Sequence, residues 1–191
     1  FYGECGGMDE ARKVFDRMLH RDRISWTAIM TASVQNGQSM EALRLFQLMQ
    51  LQGFQPDDVT FISILTGCGR SGLLEEGVHF FVSMNKDHGI APSGEHYLCM
   101  IYLLARAGRL DDAEELIENV PSGKVGMAWL SLLGACKFHY DIERGFKAAE
   151  NCVKFIPGKV LSYILLSNLY AEDQMWPTNV LSNVIVDPTM S

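Results

Sequence analysis

The sequence predicts an all-α fold, a right-handed solenoid of stacked antiparallel helix pairs. Three observations point to it. First, one pattern recurs: a small residue, two variable ones, two large apolar ones, and a third apolar position three further on. It reads Ala11-x-x-Val14-Phe15-x-x-Met18, Ala42-x-x-Leu45-Phe46-x-x-Met49 and Gly77-x-x-Phe80-Phe81-x-x-Met84, with weaker copies at Ala113/Leu116/Ile117/Val120 and Gly145/Ala148/Ala149/Cys152. Second, the small residues stand 31, 35, 36 and 32 apart, the period of a stacked helical repeat rather than of one globular core. Third, strand-like alternation is absent over any useful length.

Each repeat contains two helical stretches, A and B. In the second copy Trp26, Ile29, Met30 and Ser33 recur at three-and-four spacing, one buried stripe of helix A. Gly37 ends it with a left-handed cap position. Helix B starts near Ser39, a favourable N-cap, runs through Ala42, Leu45, Phe46 and Met49, and is stopped by Gly53 and Pro56. Gly6, Gly37, Gly72 and Gly108 each lie five residues before the small residue of helix B. Tyr140 holds that place in the fifth copy and is expected to lengthen the turn there. The helices are expected at about 8–19, 25–35, 39–52, 58–70, 73–87, 95–107, 110–119, 126–138, 142–155 and 160–172. Pro177 suits the first turn of a helix, but the residues after it are poor helix formers, and Pro188 forbids a long continuation.

Composition narrows the function classes. The 191 residues are 48% hydrophobic, enough for a continuous core, and no apolar run approaches the ~20 residues of a membrane span. The five cysteines (5, 68, 99, 136 and 152) are odd in number and form no C-x-x-C. They suggest neither a disulfide framework nor a zinc site, but buried thiols in a reducing compartment. A net charge of −7 argues against sequence-blind clamping of duplex DNA and leaves room for a narrow single-strand site. No catalytic cluster, metal set or cofactor motif stands out. His96 beside Glu95 has no nucleophile or glycine-rich loop near it. The acidic pairs Glu75-Glu76, Asp111-Asp112 and Glu114-Glu115 suit early helix positions. Residue 1 falls inside a pattern, so the chain is expected to be a piece of a longer protein, any transit peptide lying outside it.

Several motifs together resemble the pentatricopeptide repeat family. They are Ile24-Ser25-Trp26-Thr27-Ala28-Ile29, Asn36-Gly37, Glu41-Ala42-Leu43, Leu45-Phe46-x-x-Met49 and Gly53-x-x-Pro56-Asp57, followed by Gly72-Leu73-Leu74-Glu75-Glu76-Gly77 and Arg106-Ala107-Gly108-Arg109-Leu110. The mixed repeat lengths resemble the plant organellar PLS subclass. Trp129 to Cys136 is similar to that subclass's first E motif, and Tyr163 to Ala171 with Trp176 to the opening of the second. The resemblance divides the chain into a truncated short motif (1–22), a standard motif (23–57), a long motif (58–93), a short motif (94–125), a first E-type motif (126–159) and a divergent second one (160–191). It implies sequence-specific binding of single-stranded RNA in a chloroplast or mitochondrion, in the service of C-to-U editing. Editing-complex proteins or a deaminase would be recruited through the E region. No H-x-E or C-x-x-C occurs here, so a deaminase is expected in trans.

In such an array the fifth and last residues of a repeat meet on the concave face, where two polar side chains can read one base. For 23–57 these are Thr27 and Asp57, a pair that resembles the family's guanine-preferring combination. Ile24 and Val59 would sandwich the base, and Asp22 is a further candidate contact. Asp57 suits equally the N-cap of the helix at 58–70, and Thr27 a solvent position. The next pairs, Ile62/Ser93 and Leu98/Val125, are too apolar to read a base edge. One contact is expected to give this chain alone only weak RNA affinity. An apolar face near Val14, Phe15 and Met18 is expected to offer a surface for self-association. The alternative is a helical-repeat scaffold for proteins that binds no RNA.

Overall fold

The computed structural model describes residues 7–157 and Ile164. Those residues form nine α-helices and one turn of 3-10 helix: α1 Met8–Arg17, α2 Arg23–Gln35, α3 Ser39–Leu51, α4 Asp58–Ser71, α5 Leu74–Lys86, α6 Gly94–Arg106, α7 Leu110–Ile117, the 3-10 turn Ser122–Lys124, α8 Val125–His139 and α9 Ile142–Phe155. Every helix expected between residues 8 and 155 is present, with its ends within two residues. The helix expected at about 160–172, the second E-type motif and the Pro177–Ser191 segment lie outside the described residues, Ile164 excepted.

Helices α2, α4, α6 and α8 are the A members; each packs on its own B partner, and α2, α4 and α6 each pack on the next A helix. The backbones of the B helices α3, α5, α7 and α9 stand apart, and these helices meet only through long side chains such as Phe46 and Phe80, ring centroids 5.2 Å apart. Close contact along one layer and separation along the other curve the stack, with the A helices inside.

The stripes read from sequence are the core. Trp26, Ile29, Met30 and Ser33 are buried on α2, and Ala42, Leu45, Phe46 and Met49 on α3. The small residues let neighbouring helices approach. A Cβ on Gly77 would lie 2.2 Å from Leu103 Cδ2 of α6 and 3.4 Å from Cys68 Cβ of α4, so the absence of a side chain at residue 77 lets α5 sit close to the A helices on both sides. Phe15 lies edge-on against Trp26, ring centroids 4.8 Å apart. It is 5% exposed and so does not belong to the expected self-association face, which keeps only Val14 and Met18 open.

Two turn expectations are corrected. Ser39 is the first residue of α3 and not its cap. Gln38 precedes it, and the Ser39 hydroxyl is buried without a hydrogen-bond partner among the described residues. Tyr140 does not lengthen its turn. It adopts φ 58°, in line with 77°, 70° and 77° at Gly37, Gly72 and Gly108. The closing backbone bond is the same in all four: Gln38 N–H to Ser33 C=O, Leu73 to Cys68, Arg109 to Leu104 and Asp141 to Cys136, each 2.8–3.0 Å. Satisfying a carbonyl of the last helical turn outweighs the left-handed strain on a residue with a Cβ.

Cys68, Cys99, Cys136 and Cys152 are free thiols. Burial pushes Cys68 and Cys136 up to about 12, out of reach of thiolate chemistry.

Candidate nucleic-acid interface

The last residue of a repeat precedes the next A helix and therefore falls where a helix needs a cap. Asp22 caps α2 by accepting from Ser25 N–H, while Ser25 Oγ accepts from Asp22 N–H. Asp57 caps α4 in the same way with Thr60. Ser93 and His96 repeat the arrangement on α6. Bonds from Ser25, the backbone N–H first and the hydroxyl next, hold the Asp22 carboxyl below its usual range. The fourth junction departs from the pattern. Val125 stands inside the first turn of α8, and its cap position, Lys124, makes no side-chain capping bond and pairs instead with Glu95.

Thr27 and Asp57 come together through a third residue. Thr60 Oγ1 donates to Asp57 Oδ1 at 2.8 Å, and Thr27 Oγ1 lies 2.8 Å from Thr60 Oγ1. The other carboxylate oxygen, Oδ2, pairs with Arg23 Nε at 3.1 Å. So Asp57 is the cap of α4 and also the end of a polar chain that begins on α2. Thr27 does not face solvent, being only 9% exposed. Ile24 and Val59 flank this strip at 74% and 55% exposure, open apolar surfaces at the two places expected to sandwich a base. The sequence reading missed Thr60 and Arg23. The Asp-x-x-Thr spacing of a capping box was the signal for Thr60.

The polar strip continues along the inner layer and then fades. Thr31 Oγ1 meets Ser63 Oγ at 2.7 Å, and Thr66 Oγ1 meets Cys99 Sγ at 3.5 Å. At the next junction His96 replaces Thr60. It is fully buried and lies with Nδ1 2.7 Å from Ser93 Oγ and Nε2 3.1 Å from the Asp58 carbonyl. A base-edge partner at position 62 is absent because that residue is Ile62. Between α6 and α8 the inner face becomes a largely apolar groove of about 480 Å³, whose lining includes Tyr102, Leu130, Ala135 and Phe138 together with Arg106 and His139. Among the described residues no cluster of His, Cys, Asp or Glu could hold a metal ion. No helix among them is long and apolar enough to cross a membrane.

The sequence matches known repeats over most of this span. The pattern of the PPR repeat family matches residues 21–70, and that of the PPR repeat matches 1–22, 59–88 and 95–122. A pentatricopeptide repeat-containing protein of Arabidopsis thaliana is 44% identical over 175 residues, 92% of this chain and 25% of its own length. The chloroplastic protein CRR2 of the same plant is 39% identical over 92% of this chain and 27% of its length. A mitochondrial relative is 42% identical over 92% of this chain and 31% of its length. The chain thus spans about a quarter of the curated relatives it matches. In architecture it is similar to the maize pentatricopeptide repeat protein PPR10: TM-score 0.73, 18% identity, 91% of this chain and 26% of that one. The crystal structure of PPR10 with an 18-nt psaJ RNA element aligns at TM-score 0.57 and 20% identity, over 91% of this chain and 30% of that one.

Proposed function

The chain belongs to the pentatricopeptide repeat family, and on that premise we propose that it is part of a specificity factor that reads single-stranded RNA in a chloroplast or mitochondrion. The observation that carries the reading is the convergence of Thr27 and Asp57, through Thr60, on the inner layer between the exposed Ile24 and Val59. A base entering there stacks on apolar surface and presents its edge to polar oxygens. A carboxylate accepts from adjacent N–H groups, so the favoured base is guanine. Asp22, already engaged with Ser25, is a secondary contact. Relatives named as chloroplastic and mitochondrial and the RNA-bound structure of PPR10 support the class of ligand and the compartment.

The finer reading is that this factor chooses a cytidine for C-to-U editing. Residues 126–159 act as a first E-type motif and 160–191 as a divergent second, recruiting editing-complex proteins or a deaminase. A second reading, a protein-binding scaffold without RNA contact, is favoured by the apolar groove at Tyr102, Leu130 and Phe138. One stacked and hydrogen-bonded base contributes about 1–3 kcal/mol, so this chain alone binds RNA far more weakly than the complete protein. The test is selection from a randomised single-stranded RNA pool with the complete protein and its Thr27→Asn variant. One position is expected to move from guanine toward uracil. Recovery of no RNA motif supports the scaffold instead.

A further inference from the structure

We infer that Thr60, a residue outside the base-contacting pair, sets guanine selectivity by fixing the direction of the Thr27 hydroxyl. The inference rests on the RNA-reading proposal above and adds a residue to it.

The hydrogen count carries it. A hydroxyl has one proton to donate and two lone pairs to accept. Thr60 Oγ1 lies 2.8 Å from Asp57 Oδ1, and an ionised carboxylate only accepts, so the single Thr60 proton goes to Asp57. Thr60 Oγ1 also accepts from the Asp57 N–H at 3.3 Å. The remaining contact, 2.8 Å between the Thr27 and Thr60 hydroxyls, still needs a proton. Only Thr27 can supply it. The Thr27 proton is therefore committed to Thr60, and Thr27 keeps lone pairs alone for an incoming base. Asp57 Oδ2, held by Arg23 at 3.1 Å, is likewise an acceptor.

A site that shows two acceptors asks a base for two neighbouring donors. Guanine has them on its Watson–Crick edge, N1–H beside the N2 amino group. Each other base sets a donor beside an acceptor: N6 amino beside N1 in adenine, N4 amino beside N3 in cytosine, N3–H beside a carbonyl in uracil. Against a locked Thr27 each would turn an acceptor toward a lone pair and leave it unsatisfied. A Thr27 hydroxyl free to rotate would donate there and admit them. Selectivity thus depends on which way one proton points, and Thr60 decides it while touching no base.

The geometry makes the device local. At the next junction the residue in the place of Thr60 is His96, which lies against Ser93 and the Asp58 carbonyl, and the residue in the place of Thr27 is Ile62 with no hydroxyl to direct.

The test uses the complete protein carrying this chain and a randomised single-stranded RNA pool. The base frequencies at each position are read for the wild type, Thr60→Val, Thr60→Ser and Thr27→Asn. Thr27→Asn identifies which RNA position this repeat reads. Thr60→Val keeps the shape and the Thr60 N–H bond to Asp57 but removes the hydroxyl and the bond it accepts from the Asp57 N–H. Guanine preference at that one position is expected to fall about tenfold, with gains spread over the other three bases, and Thr60→Ser restores it. The melting temperature of each variant is measured alongside. A merely structural role would lower stability and weaken all RNA equally, leaving the base ratio unchanged, and that result overturns the inference. If Thr27→Asn shifts the preference and Thr60→Val does not, the reading pair survives and the role of Thr60 is lost. If neither variant alters any position, or the wild type selects no motif, the reading pair itself is wrong and the inference falls with it.

Discussion

The inner and outer layers of this molecule solve the same stacking problem differently. On the inside, A helices touch directly, and short side chains fill the seam: Thr27 with Thr60, Thr31 with Ser63, Thr66 with Cys99. On the outside, B helices stand apart and are bridged by long side chains, the Phe46 and Phe80 rings among them. Arg12 of α1 pairs with Glu41 of α3, Gln50 of α3 meets His88 in the turn after α5 at 3.3 Å, and Arg144 of α9 pairs with Asp111 and Glu114 of α7. Short contacts inside and long ones outside bend the stack. The layer that is bent inward is also the one whose hydroxyls and caps are aligned from repeat to repeat. Curvature and the candidate reading strip therefore share one cause, the size of the residues at the A–A seam.

The largest test of that comparison is at the seam between the layers. Gly77→Leu forces a side chain into the space of Leu103, which is fully buried. We expect a loss of about 3 kcal/mol in a denaturant titration. A neutral result would mean that the A–B spacing does not depend on small residues. The next test moves the polar strip along the inner layer. Ile62→Thr with Ser93→Asp and His96→Thr rebuilds the Thr27/Asp57/Thr60 arrangement one repeat on, where Ser93 already occupies an extended cap. In the complete protein this is expected to create a guanine preference of about 1–2 kcal/mol at the neighbouring RNA position, read by competition with the other three bases.

The outer bridges predict a smaller effect with a defined pH window. The hydrogen bond from Arg44 holds the Glu41 carboxyl down at about 2, burial opposing it and Arg12 reinforcing it. A carboxyl depressed on folding contributes stability that is present above its unfolded pKa of about 4.3 and is lost as pH falls toward its folded value. Because the pair is partly open to water, we expect about 1 kcal/mol. Glu41→Gln should remove it at pH 7 and flatten the acid limb of stability between about pH 4.5 and 2. An unchanged acid limb in thermal melts across that range would show the bridge to be idle. The smallest effect concerns the fifth turn. Tyr140 is 83% exposed at φ 58°, so Tyr140→Gly relieves left-handed strain and loses little packing. A gain of about 0.5 kcal/mol is expected, and a loss would reveal a contact made by the ring.

Much of this was legible before any coordinates. The small-x-x-large-large pattern located the B helices, and the glycines five residues upstream located the turns, because both are local requirements of a helix pair. Tyr140 was misread for the complementary reason. Sequence says which residue prefers a left-handed cap, but not that the neighbouring helices will impose it on one that does not. Ser39 was misread because a residue suited to capping was instead needed, small, beneath α4, where a Cβ on Gly67 would stand 3.6 Å from its own Cβ. Phe15 was placed on an open face since nothing in its own helix shows that Trp26 covers it.

The sequence alone determined the repeat, the number and order of helices up to residue 155 and the residues of the buried stripes, because periodicity and caps act within a few residues of chain. Tertiary structure alone decided that Thr27, thirty-three positions before Thr60, shares a proton with it, and that Asp57 is at once a helix cap and a member of the inner strip. Those relations depend on the distance between successive A helices. That distance is the sum of many side-chain volumes and is written in no single stretch of chain.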